Sequence, residues 1–186
     1  MFMGNDQFLK SLTEDDGKIL IAVAKNTISS KFNGMQLDAN IPDKLQTKAG
    51  AFVTINQNRE LRGCIGYLNP VMPLVKAVQK AAYNAAFSDP RFNPLSMEEL
   101  NKIDIEITVL GALERINADD IKKIIIGLHG LYIKKGFNSG TLLPQVAVEN
   151  SMTQQEFLSE TCIKAGMDEN CYKSAEIYKY EGRIFH

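Results

Sequence analysis

The chain has 186 residues, 45% of them hydrophobic and 23% charged, with 21 basic and 22 acidic side chains and a net charge of −1. That length suits one domain over residues 1–186 with enough apolar material for a real core. The composition excludes a disordered chain, and the charge lacks the basic excess of most nucleic-acid binders, so nucleic acid is unsupported as a partner.

Met1–Asp6 has no basic region leading into an apolar stretch, so it does not read as a secretory signal. The runs Ile19–Ala24 and Ile124–Leu128 are too short to span a bilayer, and no membrane association is expected. Cys64, Cys162 and Cys171 are odd in number and show no small-scaffold spacing, which predicts reduced thiols in a cytoplasmic protein.

Ser11 with Glu14, and Thr13 with Asp16, offer capping boxes for a helix that carries Ile19, Leu20, Val23 and Ile28 at helical spacing to about Lys31. Phe32–Gly50 then reads as a long connection with one short turn near Asp43–Leu45. Ala51–Ile55 alternates as a strand, Asn56–Glu60 turns, and Leu61–Tyr67 pairs back as the second arm of a hairpin. Pro73 opens a helix to Phe87, and Ser96 with Glu99 caps a helical turn to Asn101.

Ile103, Ile105, Ile107 and Val109 alternate with polar residues as a half-buried strand, which leaves Glu106 facing solvent. Ile121–Ile126 and Leu131–Lys135 read as further strands, and Gly136–Gly140 as a hairpin loop leading to Thr141–Leu143. Thr153 and Glu156 cap a helix ended by Gly166, and Ile177–Arg183 closes the chain as a strand. Strands and helices without regular alternation imply an α+β fold, with a mainly antiparallel sheet flanked by helices.

The stretch Leu61–Gly66 carries the densest chemistry. Gly63 and Gly66 flank Cys64, and Arg62 precedes them, in a strand upstream of a helix. A thiol beside a cation and a helix start favours its anionic form. The simpler reading, which the residue chemistry favours, makes Cys64 a small buried hydrophobe. His129 is the sole sensible base for a thiol nucleophile, with Asp89, Asp104 or Glu106 available to orient it. The preferred reading of His129, beside Gly130, is a turn histidine.

Arg62 and Arg91 stand at glycine- or proline-flanked positions, where an arginine fork grips a carboxylate or phosphate. For Arg91 an internal salt bridge to Asp89 is the competing explanation. Two histidines and three unclustered cysteines make a metal site improbable on spacing, and no glycine pattern matches a nucleotide fingerprint, so neither metal nor cofactor is expected.

Leu61–Gly66 followed by Pro70–Leu74, then Asp89–Phe92, His129–Leu131, Leu142–Ala147 and Thr161–Gly166, resembles the ordered motif set of the AMMECR family, over about Leu12–Phe185. The resemblance implies a cytoplasmic α+β protein with a larger sheet-and-helix lobe, a smaller β-rich lobe and a cleft between them. It implies Memo-like and radical-SAM proteins as partners, since microbial members are encoded beside both. It also points to the Arg62–Gly66 segment as functional, and Arg62, Gly63, Gly66, Asp89 and Arg91 are the candidate ligand-binding positions. Two functions follow. One is a non-catalytic partner that docks substrate for those proteins; the other is an enzyme with a cleft thiol at Cys64 and an anionic substrate held by Arg62 or Arg91.

Overall fold

The computed structural model describes residues 5–34 and 40–186; the start of the chain and the middle of the expected Phe32–Gly50 connection lie outside the described residues. The chain forms two compact units. The larger comprises Gln7–Leu110 with Arg183–His186, and the smaller Gly111–Gly182 with Asn5 and Asp6.

The larger unit begins with helix α1 (Asn5–Ser11), which the sequence reading missed, and whose Phe8 and Leu9 join the core. Helix α2 (Glu14–Asn33) starts at Thr13, whose hydroxyl accepts the Asp16 N–H while the Asp16 carboxylate accepts the Thr13 N–H. Of the two predicted caps this one forms, and Gly34 ends the helix at φ 70°. A short 3-10 turn at Asp43–Gln46 sits where a turn was expected.

Strands β1 (Gly50–Gln57) and β2 (Glu60–Tyr67) form the predicted hairpin, turned by Asn58 and Arg59 at positive φ. Strand β3 (Ile103–Leu110) pairs antiparallel with the other side of β1, leaving β2 as an edge strand. Ala51, Val53, Ile55, Ile105, Ile107 and Val109 form one buried face. Against it pack α2 and helix α3 (Leu74–Phe87), the latter through an alanine- and valine-rich stripe. The period-2 and period-3.6 patterns thus meet in one core.

The smaller unit is built on β4 (Glu114–Ile116), β5 (His129–Lys135), β6 (Asn138–Leu142) and β7 (Glu176–Phe185), all antiparallel in the order β4-β7-β5-β6. The last residues of β7, from Arg183, belong to the larger unit. Helices α4 (Pro144–Glu149) and α5 (Gln154–Lys164) cover this sheet, the second with the predicted Thr153–Glu156 capping box.

Three expectations change here. Ile121–Ile126 is a 3-10 turn and loop, because Ile124 is buried while Ile125 is exposed and no alternation builds a sheet face. The loop expected over Gly136–Gly140 is shorter, since Asn138–Gly140 already pair with β5. Cys162 and Cys171 form a disulfide, with Cα atoms 5.7 Å apart, so the expectation of three reduced thiols fails. The cause is tertiary: the end of α5 and the turn at Cys171–Lys173 meet in the core of the smaller unit.

Candidate functional site

The hairpin register explains how the signature presents its side chains. Thr54 opposes Cys64 and Ile55 opposes Gly63, but Asn56 opposes Leu61, so Arg62 is the extra residue of a bulge. A bulge re-aims its side chain. Arg62 accordingly leaves the strand and forks onto Glu99, with Nε donating to Oε1 at 2.8 Å and Nη2 to Oε2 at 3.3 Å. Nη2 also donates to the Asn93 carbonyl at 3.0 Å.

The two glycines are demanded by close approach. A Cβ on Gly63 would lie 2.2 Å from the Ala85 carbonyl oxygen of α3, and one on Gly66 would lie 2.3 Å from the Phe52 ring. Both positions therefore require glycine for close packing.

Asp89 and Arg91 act on the free edge of β2. The Cys64 N–H donates to Asp89 Oδ2 at 2.9 Å, and Arg91 Nη2 donates to the Cys64 carbonyl at 3.2 Å. The two side chains also clasp each other, with Arg91 Nε donating to Oδ1 at 2.9 Å and Nη2 to Oδ2 at 2.7 Å. One carboxylate and one guanidinium thus stand in for a neighbouring strand at Cys64, which blunts an exposed edge. The Asp89 side chain is 1% exposed, against 41% for Arg91.

The electrostatics follow from these forks. The Arg91 guanidinium, helped by the Cys64 and Arg91 N–H groups, holds the Asp89 carboxyl down at about 2 against the cost of burial. Arg62, with the Ser96 N–H, lowers Glu99 to about 2 in the same way. Phe92 lies beside both cations, with its centroid 5.8 Å from the Arg62 Cζ and 5.4 Å from the Arg91 Cζ. The ring face partly compensates Arg62 Nη1, which is buried without a hydrogen-bond partner among the described residues.

Cys64 is half-buried, and its Sγ lies 3.4 Å from Thr54 Oγ1. Both sit on the sheet face turned away from α2 and α3, and Glu106 of β3 lies opposite Thr54 in the same row. Glu106 is only 13% exposed in its side chain, with His186 Nδ1 3.7 Å from its Oε2, so it does not simply face solvent.

His129 belongs to the smaller unit, at the start of β5, and is 4% exposed. Its Nδ1 accepts the Ile125 N–H at 2.9 Å, and Nε2 lies 3.4 Å from the Lys179 ammonium. Both ring nitrogens are thus engaged within that unit. Burial and the Lys179 charge push its pKa below the usual histidine value. Among the described residues, no three His, Cys, Asp or Glu side chains gather closely enough to hold a metal ion. No helix among them is long and apolar enough to cross a membrane.

Sequence reasoning singled out Arg62 beside Cys64 and, separately, a salt bridge between Asp89 and Arg91, but it did not bring the two pairs together. It missed Glu99 and Phe92 as parts of the same cluster and Thr54 as the neighbour of the thiol. Glu99 already had a local role as the capping partner of Ser96, which masked its second bond. The opposition of Thr54 to Cys64 follows from the hairpin register, which the turn at Asn58–Arg59 sets.

The chain is similar over most of its length to known proteins. A protein of Methanothermobacter thermautotrophicus is 40% identical over 184 residues, covering 94% of this chain and 96% of its own. One from Pyrococcus furiosus is 41% identical, covering 94% of this chain and 89% of its own. The crystal structure of an uncharacterised protein from Pyrococcus horikoshii superposes with a TM-score of 0.88 at 36% identity, over 93% of this chain and 92% of its own. The AMMECR1 family profile matches residues 21–185, and the chain belongs to that family.

Proposed function

We propose that this chain is a non-catalytic cytoplasmic partner that docks substrate for a Memo-like and a radical-SAM protein. The observation that carries this reading is the internal commitment of the signature. Arg62 and Arg91 are each forked onto a carboxylate of their own unit, and Asp89 with Arg91 grips the main chain of Cys64. Such a cluster fixes the shape of an edge strand. A general base is the group a catalyst would need, and His129 spends both ring nitrogens elsewhere.

Exposed apolar side chains in the smaller unit support docking further. Phe137, at the tip of the β5–β6 turn, is wholly exposed, and Ile125 and Val148 are more than half exposed. Lone exposed apolar residues are ordinary, but a bare aromatic at a loop tip suits a partner surface.

A second reading, a thiol enzyme with an anionic substrate, rests on the half-buried Cys64 beside Thr54 with Glu106 in the same row. Size-exclusion chromatography of the chain with the Memo-like and radical-SAM proteins of its own genome tests the docking reading. A complex that survives Cys64→Ser and weakens with Phe137→Ser is the expected result. Absence of any complex overturns it. Rapid alkylation of Cys64 well below pH 8 would instead favour the thiol enzyme.

A further inference from the structure

Helix α3 buries Leu74, Val75, Val78 and Ala82 on one face. Its opposite stripe carries Gln79, Lys80, Tyr83 and Asn84, neighbours at helical spacing. Tyr67, the last residue of β2, reaches this stripe, and Asn84 Nδ2 donates to its phenol oxygen at 3.2 Å. These five side chains line an open surface hollow of about 440 Å³.

The lining has a specific chemistry. Tyr83 is 39% exposed and is braced from one side by Phe87, at 5.1 Å between ring centroids. Phe87 in turn meets Phe32 at 5.8 Å, so Tyr83 stands on an aromatic cluster. Phenol rings offer faces to a planar heterocycle. The carboxamide of Gln79 presents donor and acceptor together, the pattern that pairs with the edge of adenine, while Asn84 is held by its bond to Tyr67. Lys80 is the sole cation of the lining and supplies charge for one anionic group.

We propose that this hollow binds a mononucleotide, with an adenine ring stacked on Tyr83 and its phosphate at Lys80. One lysine and an overall charge of −1 suit a single phosphate rather than a nucleic-acid strand. The site lies on the helix side of the sheet, separate from the clasp at Cys64, and it holds whether or not the docking reading does.

Isothermal titration calorimetry of the full chain with adenosine 5′-monophosphate tests it, with adenosine and inorganic phosphate as separate titrants. Saturable one-site binding of the nucleotide is expected, weaker for adenosine. Tyr83→Ala should weaken it about tenfold or more, the scale of one lost stacking contact. Lys80→Glu should erase the preference for the nucleotide over adenosine. Lys80 is exposed, so Lys80→Glu should keep the wild-type melting temperature, while Tyr83→Ala gives up its contact with Phe87 and is checked for folding by a single cooperative melt within a few degrees of wild type. The proposal is overturned if millimolar nucleotide gives no heat, if both variants bind like wild type, or if a single-stranded oligonucleotide binds far more tightly with a steep salt dependence.

Discussion

The two units of this molecule secure their polar and sulfur groups in opposite ways. The larger unit holds an edge strand with side-chain forks drawn from distant sequence: Arg62 to Glu99, and Asp89 with Arg91 onto Cys64. The smaller unit holds the end of α5 with a covalent bond across nine positions, Cys162 to Cys171, and keeps a buried histidine neutral between a backbone amide and a lysine. Cys64 of the larger unit lies outside any disulfide, with its main chain held by a carboxylate and a guanidinium, while the two cysteines of the smaller unit pair off in an apolar core. In the larger unit the signature around Cys64 holds the main chain by an electrostatic clasp.

Breaking that clasp should have the largest effect. Asp89→Ala leaves the Cys64 N–H without its acceptor and Arg91 without its counter-charge, at a cost of about 3 kcal/mol. Urea unfolding followed by circular dichroism should show the midpoint falling at constant slope. An unchanged midpoint would mean that water replaces the carboxylate at the strand edge, and the clasp would lose its structural role. Replacing Cys162 and Cys171 by serine tests the other unit. A loop of nine positions loses about 2.5 kcal/mol of chain-entropy stabilisation, so the expected drop is slightly smaller. Hydrogen exchange should place that drop in β5, β6 and α5, with the amide of Cys64 unaffected.

Much of the larger unit was legible in the sequence because its signals are local. The Thr13 and Asp16 cap, the hairpin around Asn58, the alanine stripe of α3 and the alternation of β3 each declare themselves within a few residues. The competing salt bridge from Arg91 to Asp89 was visible for the same reason, as the two are neighbours. The fork from Arg62 to Glu99 was not, since 37 positions separate them and Glu99 had an evident local use. The smaller unit was harder to read. Its β4 has three residues and its α4 six, too short for any periodicity to show. Ile121–Ile126 looked like a strand from composition alone, and the disulfide depends on a meeting that spacing does not encode.

Acid should separate the units again, at different pH. His129 has a folded pKa below the unfolded value of 6.5, so its contribution is present above that pH and is lost as pH falls below it. Asp89 and Glu99 are held at about 2, against unfolded values of 3.8 and 4.5. Their contribution is complete above about pH 5 and is lost as pH falls from there toward 2, at most on the order of 2 kcal/mol for the buried Asp89. Protection factors near His129, corrected for the intrinsic pH dependence of exchange, should therefore fall from about pH 6.5 downward, while that of the Cys64 amide holds until well below pH 5. Simultaneous loss of protection in both regions would show that the units unfold as one and that the contrast has no thermodynamic counterpart.

Cys64→Ser should have the smallest effect, and it sharpens the comparison at the atom where the two functional readings part. The Cys64 backbone carries the bonds to Asp89 and Arg91, and exchanging Sγ for a hydroxyl leaves both in place. The new hydroxyl keeps a polar neighbour in Thr54 Oγ1, so the loss in stability should stay below about 1 kcal/mol. A substitution that leaves the clasp and the unfolding midpoint intact, yet abolishes activity in cells, would assign chemistry to the sulfur. Retained activity would make Cys64 a packing residue whose main chain, rather than its thiol, is what Asp89 and Arg91 hold.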